Sequence, residues 1–98
     1  MILQFEWDEE KDVINQMKHG VSFDEAKMVF FDPKRFDMFD WVHSYAEDRW
    51  KAFGLSGWTV LTVIFTERKG SIRIISARKA TINEEERYFY GYSTGNGN

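Results

Sequence analysis

The fold is decided by residues 49–80, which read RWKAFGLSGWTVLTVIFTERKGSIRIISARKA. This stretch contains three runs rich in β-branched and aromatic residues: Arg49–Leu55, Trp58–Glu67 and Ser71–Ala77. Ser56-Gly57 separates the first two runs and Arg68-Lys69-Gly70 the last two, and such short connectors that contain glycine are typical of β-hairpins. The stretch therefore predicts three consecutive strands of an antiparallel meander.

A strand and a helix are predicted ahead of this meander. Apolar and polar residues alternate up to Trp7, which is the period of a half-buried strand. Asp8 can then cap a helix that runs to Lys18 or His19 and ends at Gly20, a residue suited to the left-handed C-terminal position. The predicted inner stripe of this helix is Val13, Ile14 and Met17, and a second face carries Lys11, Asn15, Lys18 and His19.

Two capping boxes predict two further helices. Ser22 and Glu25 form the first box, and that helix ends before Pro33 because the residue preceding a proline is disfavoured in a helix. Thr81 and Glu84 form the second box and begin a C-terminal helix. The predicted inner stripes are Phe23, Ala26, Val29 and Phe30 in the first of these helices and Ile82, Phe89 and Tyr92 in the second. Residues 34–48 are ambiguous, since a strand fits residues 35–41 and a loop fits residues 43–48.

Length and composition fit one small domain. The chain has 98 residues and no cysteine, which excludes disulfides, thiol catalysis and thiolate metal sites. The predicted domain covers residues 1–92, and the composition of residues 93–98 predicts a flexible tail. No secretion signal and no run of about 20 apolar residues is present, so a cytoplasmic protein is expected. The predicted fold class is α+β, with two N-terminal helices, an antiparallel sheet of three to five strands and a C-terminal helix.

Charge is distributed unevenly along the chain. The formal net charge is -3 at pH 7. Residues 1–48 contain five Lys and Arg against twelve Asp and Glu, whereas residues 49–83 contain seven Lys and Arg against one acidic residue. This contiguous excess of positive charge predicts a surface that binds a polyanion such as RNA.

The residue types suit cleavage of RNA by attack of its own 2'-hydroxyl on the adjacent phosphate. This reaction needs a proton acceptor, a proton donor and fixed cations near the phosphoryl oxygens. His43 and Glu47 are the candidate acid–base pair. The candidate cations are Arg49, Arg68, Arg78 and Lys79. No ligand spacing typical of a metal site and no glycine-rich phosphate loop is present, so neither a metal nor a cofactor is expected.

Several of these residues also have a simpler structural interpretation. His19 suits a helix C-terminus, where it interacts favourably with the helix dipole. Glu47 and Arg49 suit an ordinary surface ion pair, and Arg73 suits the solvent face of its strand. The tryptophans suit packing better than base stacking: Trp41, Trp50 and Trp58. The charge excess over a whole segment therefore supports the functional interpretation more than any single residue does.

From Leu3 to about Tyr88 the chain resembles the BrnT toxins of bacterial type II toxin–antitoxin systems. The residues that carry the resemblance are Phe5-Glu6-Trp7-Asp8, Lys11, Asn15, Lys18 to Phe23, Ala26, Val29-Phe30, Asp32-Pro33, His43-Ser44, Glu47, Arg49-Trp50, Gly54, Thr66-Glu67-Arg68 and Ile72 to Ala80. The resemblance implies a RelE-like fold and a metal-independent endoribonuclease that inhibits translation and growth. Glu85 and Glu86 depart from the family pattern, in which an arginine is expected after Glu84.

The resemblance also implies partners and a role for one arginine. A BrnA-type antitoxin with a ribbon-helix-helix part would neutralise the toxin, and DNA would be bound only through that antitoxin. In RelE-like toxins an arginine near the end of the last sheet strand acts on the scissile phosphate, and Arg78 occupies a comparable place. The other residues expected to contact RNA are Lys18, His19, Arg73 and Lys79. Exposed aromatic side chains would permit a toxin–antitoxin heterotetramer.

Two other functions fit parts of the sequence. An inactive relative that only binds its antitoxin would use the same cationic segment against an acidic partner, and it would bind RNA without cleaving it. A DNA-binding repressor fits less well, because no helix-turn-helix is recognisable and the helical half is acidic.

Overall fold

The computed structural model describes residues 3–91, so Tyr92 and the predicted tail at 93–98 lie outside the described residues. The elements, in chain order, are β1 (Phe5–Glu6), α1 (Glu9–His19), α2 (Phe23–Lys27), a 3-10 turn (Met28–Phe31), β2 (Phe36–Phe39), β3 (Trp50–Ser56), β4 (Thr59–Arg68), β5 (Ser71–Lys79) and α3 (Ile82–Tyr90). No helix within this part of the chain is long and apolar enough to cross a bilayer.

The five strands form one mixed sheet in the order β1-β5-β4-β3-β2. The predicted meander is confirmed as β3, β4 and β5, and the ambiguous stretch supplies β2 at the free side of β3. The sheet is not antiparallel throughout, because β1 pairs parallel to β5, with Phe5 opposite Ile72. Parallel strands need a long connection, and here the helices and the strands β2, β3 and β4 all lie between β1 and β5 along the chain. The α+β class is confirmed.

Local signals in the sequence set the helix boundaries. The Asp8 carboxylate accepts hydrogen bonds from the backbone nitrogens of Glu10 and Lys11, and Gly20 ends α1 with a φ of 71°. The predicted capping boxes are formed at the start of α2 and of α3. In each capping box the hydroxyl accepts from the backbone nitrogen of the glutamate and the carboxylate accepts from the backbone nitrogen of the cap residue, so two donors without a partner inside the helix are satisfied.

The prediction for the inner face of α1 is wrong. Val13, Ile14 and Met17 are 56%, 54% and 82% exposed, and the buried residue of the helix is Asn15. Its Nδ2 donates to the carbonyl oxygen of Ala77 at 2.8 Å, and its Oδ1 accepts from the Ala77 nitrogen at 3.1 Å. On its β1 side, β5 is paired only along Ile72 and Arg73, so the backbone of Ala77 has no strand next to it on that side. The Asn15 amide forms the hydrogen bonds that a neighbouring strand would form.

The main core lies on one face of the sheet. The side chains of α2 and the 3-10 turn pack there as predicted, and they are Phe23, Ala26, Val29 and Phe30. They cover sheet residues that alternate along the central strands: Ala52, Leu61, Val63, Phe65, Ile72, Ile74 and Ala77. Gly54 permits the close approach of the 3-10 turn, since a Cβ at this position would lie 2.9 Å from Cγ1 of Val29.

Helix α3 packs on the opposite face, which is called the open face below. The inner stripe predicted for α3 is wrong, because Ile82 and Phe89 are 75% and 61% exposed while Tyr88 is buried. The Tyr88 hydroxyl donates a hydrogen bond to Asp32, and burial together with this bond raises the pKa of Tyr88 to about 12. A polar contact with the end of the 3-10 turn therefore sets which side of α3 faces the sheet.

Candidate active site

The open face contains a pocket of about 290 Å³ that is rich in positive charge. We call it the cationic pocket, and its lining residues are His43, Arg49, Lys51, Ile64, Ile75, Ser76 and Arg78. Strand register brings them together, because Ile64 lies opposite Lys51 on one side and opposite Ser76 on the other. Arg78 follows Ser76 by two residues and so projects from the same face. Three of the sequence-predicted catalytic residues, His43, Arg49 and Arg78, line this one pocket.

Arg78 is held by the first turn of α3. Its Nη1 and Nη2 donate to the two carboxylate oxygens of Glu84 at 2.7 and 3.0 Å. Nη1 also donates to the carbonyl oxygen of Lys79 at 3.3 Å. The edge formed by Nε and the second N–H of Nη2 has no partner among residues 3–91. Glu84 therefore fixes the guanidinium and leaves one two-donor edge available for an anion such as a phosphate.

Glu84 is itself enclosed by donors. Besides Arg78, its Oε1 accepts from the Thr62 hydroxyl at 2.8 Å and from the Thr81 nitrogen at 2.9 Å. Burial alone would raise the pKa of Glu84, but the hydrogen bonds from Arg78, Thr81 and Thr62 outweigh it and lower the pKa to about 2. The same contact raises the pKa of Arg78, chiefly through its hydrogen bonds to Glu84. The pair is thus ionised at neutral pH.

This pair makes a prediction about stability and pH. The pKa of Glu84 falls from an ordinary 4.5 to about 2 on folding, so its carboxylate stabilises the fold fully above about pH 5 and loses this effect as pH falls toward 2. Glu84→Gln is expected to lower the free energy of unfolding by about 1–2 kcal/mol at neutral pH, allowing for solvent screening. Urea denaturation of parent and variant at several pH values should show this difference shrinking in acid. Glu86→Gln, in the exposed face of α3, is the control, and a Glu84→Gln difference independent of pH would contradict the prediction.

His43 is oriented by a buried carboxylate. Its Nδ1 lies 2.9 Å from Oδ2 of Asp40, a residue that is 2% exposed. A carboxylate can only accept, so Nδ1 carries the proton and Nε2 is the nitrogen available for proton transfer. The backbone of Asp40 also donates to the carbonyl oxygen of Arg49 at 2.8 Å, and the Ser44 hydroxyl accepts from the Arg49 nitrogen at 2.9 Å. These bonds close the loop between β2 and β3 and fix His43 beside Arg49.

The other two predicted catalytic residues, Glu47 and Arg68, lie outside the lining of the cationic pocket. Glu47 interacts with Arg49 at 3.5 Å and with Arg68 at 3.4 Å, rather than with His43. The resulting chain of charges extends from the pocket to the end of β4. Nε of Arg49 is buried and has no hydrogen-bond partner among residues 3–91, so one donor of this guanidinium is unsatisfied inside the protein.

The residues predicted to contact RNA are divided between two regions. Lys18 and His19 line a second pocket, of about 150 Å³, between α1 and β5. Ile75 and Ser76 line both this pocket and the cationic pocket, so the two join around the edge of β5. Arg73 lies on the open face beside Glu6, with Nη1 3.4 Å from Oε2. Lys79 is exposed, and strand alternation directs it to the face opposite Arg78.

Sequence reasoning missed Lys51 and Ser76 in the pocket lining and Asp40 as the partner of His43. The spacing held a signal for each: Lys51 lies two residues from Arg49, Ser76 two from Arg78, and Asp40 three before His43. Within residues 3–91 no group of three or more His, Asp or Glu side chains is arranged to hold a metal ion.

Residues 7–84, which include every candidate residue, match a family model described as the ribonuclease toxin BrnT of type II toxin-antitoxin systems. The chain is similar to the 1.1 Å crystal structure of the Brucella abortus ribonuclease toxin, BrnT, with 28% sequence identity and a TM-score of 0.61. That similarity covers 82% of this chain and 99% of the Brucella chain. No curated sequence matches the chain significantly.

Proposed function

Because the chain belongs to the BrnT family of type II toxin–antitoxin ribonucleases, we propose that it cleaves RNA endonucleolytically without a metal ion and thereby inhibits translation and growth. The observation that supports this most strongly is the convergence of His43, Arg49, Lys51 and Arg78 on one pocket. These are one proton-transfer group and three cations, and Glu47, which is paired with Arg49 at 3.5 Å, is proposed as the second proton-transfer group that attack by a 2'-hydroxyl requires. The bacterial cytoplasm, where RNA is translated, is the proposed place of action.

In the proposed reaction the 2'-hydroxyl gives its proton to a base and its oxygen forms a bond to phosphorus. The bond from phosphorus to the 5'-oxygen breaks, and an acid returns a proton to that leaving oxygen. His43 and Glu47 are the proposed acid–base pair. The products are a 2',3'-cyclic phosphate and a 5'-hydroxyl end, so no metal-bound water is needed.

The cations are proposed to stabilise the charge that grows on the phosphoryl oxygens. The free edge of Arg78 offers two donors that need no rearrangement, which is how preorganised sites lower a barrier, and Arg49 adds its positive charge in the same pocket. Arg68 is proposed to orient Glu47, whose Oε1 lies 3.4 Å from its Nη2. The residues proposed to guide the rest of the RNA strand are Lys18, His19, Arg73 and Lys79.

The proposed partner is a BrnA-type antitoxin with a ribbon-helix-helix part. An acidic segment of that antitoxin would cover the cationic pocket, which explains inhibition through charge complementarity. DNA would be bound only through the antitoxin, in a complex that we propose to be a heterotetramer. A RelE-like arrangement is part of the same proposal, because Arg78 stands near the end of the last sheet strand.

The test is cleavage of a defined RNA by the isolated protein in excess EDTA, with analysis of the new 3' ends. Cyclic phosphate or 3'-phosphate ends that are independent of EDTA are the expected result. His43→Ala should slow their formation about 100-fold or more, since general acid–base catalysis contributes about 10²–10⁴. His19→Ala is the comparison: it removes a histidine proposed to guide RNA outside the cationic pocket, so it should weaken RNA binding but leave the cleavage rate of bound RNA unchanged. Cleavage that stops in EDTA and returns with Mg²⁺ would contradict metal independence.

One observation favours a second function, a binding module that no longer cleaves. The charge of Arg78 is compensated by Glu84, and Glu85 and Glu86 add negative charge to the same helix. Such a protein would bind RNA in a salt-dependent manner and bind its antitoxin, but would leave RNA intact with or without ribosomes. Cleavage by the isolated protein or in the presence of ribosomes would rule it out.

A further inference from the structure

A third pocket, of about 230 Å³, adjoins the cationic pocket on the open face. It lies between β2, the loop after β2 and α3, and we call it the aromatic pocket. The lining residues used below are Met38, Phe39, Trp41, Lys51, Glu84 and Arg87. Lys51 lines both pockets, and Glu84 of this pocket holds Arg78 of the other. The two pockets are therefore continuous.

Trp41 is the feature of this pocket that packing does not explain. It is 83% exposed, although an indole buries a large apolar surface when it serves the core. Its ring meets Phe39 edge-on, with centroids 4.6 Å apart, and Phe39 meets Trp50 in the same way at 5.1 Å. Phe39 lies opposite Trp50, which packs against the main core, so this row of rings supports the indole from the core side of β2. Trp41 itself lines the aromatic pocket at the edge of the sheet and is accessible to solvent there.

The chemistry around Trp41 suits a planar group attached to a phosphate. Arg87 is located beside Met38, with Nη1 3.5 Å from Sδ, so a guanidinium and an indole line one pocket. Nucleobases stack on both kinds of side chain. The carboxylates at the pocket do not repel a nucleotide strongly, because Asp40 is engaged by His43 and Glu84 by Arg78.

We infer that the aromatic pocket binds the nucleobase of a nucleotide next to the scissile phosphate, with Trp41 as the stacking platform. This inference rests on the proposed function, since it takes the phosphate to lie in the cationic pocket. A base and its own phosphate are joined through one ribose, and the continuity of the two pockets through Lys51 matches that connection. Trp41 is then a determinant of how RNA is positioned and of which bases are preferred at one site.

The chain provides a matched control in Trp58. It is 99% exposed but lies in the turn between β3 and β4, at the end of β3 opposite to Arg49. Trp58→Ala removes an exposed indole of the same kind without touching either pocket. Trp41→Phe retains an aromatic face and serves as the conservative variant.

The experiment compares short RNAs that carry one cleavable step, with either a normal base or an abasic ribose at each neighbouring nucleotide. For the parent, removal of the base on one side is expected to slow cleavage about ten-fold or more, as loss of one stacked base does. In Trp41→Ala the ratio of the cleavage rates of the base-containing and the abasic RNA should be close to one, whereas Trp41→Phe and Trp58→Ala should keep the ratio of the parent. A ratio unchanged in a folded Trp41→Ala protein would overturn the inference.

A binding measurement separates this inference from the proposed function. Matching oligonucleotides with a 2'-deoxy sugar at the scissile step cannot be cleaved by 2'-hydroxyl attack, so the difference in affinity between the base-containing and the abasic form reports the aromatic pocket without any cleavage. Suppose that the parent cleaves no RNA and still binds the base-containing oligonucleotide more tightly than the abasic one. If Trp41→Ala then removes this preference, the pocket assignment holds and the catalytic proposal fails. If Trp41→Ala weakens only antitoxin binding, the pocket belongs to the protein partner and the inference is overturned.

Discussion

Replacing Arg78 with alanine is expected to slow RNA cleavage about 100- to 1000-fold, the usual loss when one preorganised donor to a developing anion is removed. The free Nε and Nη2 edge of Arg78 is the two-donor group that Glu84 fixes in the cationic pocket. Arg78→Lys should recover little of the rate, because an ammonium keeps the charge but not the planar fork. Single-turnover cleavage of a defined RNA is the measurement.

Folding must be controlled in this experiment, because Arg78→Ala leaves the enclosed carboxylate of Glu84 without its cation. The double variant Arg78→Ala with Glu84→Gln removes that unpaired charge and should unfold at nearly the temperature of the Glu84→Gln protein. It should remain as slow as Arg78→Ala in cleavage. A folded protein that lacks Arg78 and cleaves at the parent rate would refute the role given to this residue.

The second large effect is expected at Asn15, where Asn15→Asp should lower the free energy of unfolding by about 3 kcal/mol or more. The Asn15 Nδ2 donates to the carbonyl oxygens of Val21 and Ala77, both at 2.8 Å. An aspartate has almost the same shape but cannot donate when ionised, so a buried carboxylate would face two carbonyl oxygens. Urea denaturation at neutral pH measures the loss.

The pH dependence of the stability of Asn15→Asp shows whether the buried charge causes the loss. A protonated aspartic acid can donate again, so the pKa at position 15 should be higher in the folded Asn15→Asp protein than in the unfolded chain. Stability of the variant should then rise as pH falls through that pKa, whereas loss of shape would persist at every pH. Gln16→Glu makes the same chemical change on the exposed side of α1, and it should shift stability by no more than about 0.5 kcal/mol.

Sequence rules succeeded where a structure is determined by neighbours along the chain. The caps at Asp8 and Ser22 and the hairpin turns around Gly57 and Gly70 each depend on a few consecutive residues. The sequence rules failed for the inner faces of α1 and α3, because those faces are determined by polar contacts between residues far apart in the chain. Asn15 bonds to Ala77, 62 positions away, and Tyr88 to Asp32, 56 positions away. A count of apolar residues cannot detect such contacts.

The same distinction applies to the candidate site. The charge excess of residues 49–83 predicted a cationic surface, and strand alternation from Arg49 and Arg78 would also have found Lys51 and Ser76. The partner of Arg78 was not predicted, because the capping box already accounted for Glu84. Its second role depends on β5 and α3 meeting at the place where Thr62 of β4 supplies a third hydrogen bond.

Because β1 pairs with β5, the fold of this protein can be completed only late in its synthesis. Phe5 and Asn15 leave the ribosome early, but their partners Ile72 and Ala77 are added near the end. A nascent chain that stops before residue 71 lacks three of the seven residues that line the cationic pocket, including Arg78, and one of the two strands that pair with β4. Such a chain has an incomplete cationic pocket and leaves one edge of β4 unpaired, and an unpaired strand edge can pair with another chain. Under the proposed function, a chain therefore becomes able to cleave RNA only when the ribosome has almost finished its message.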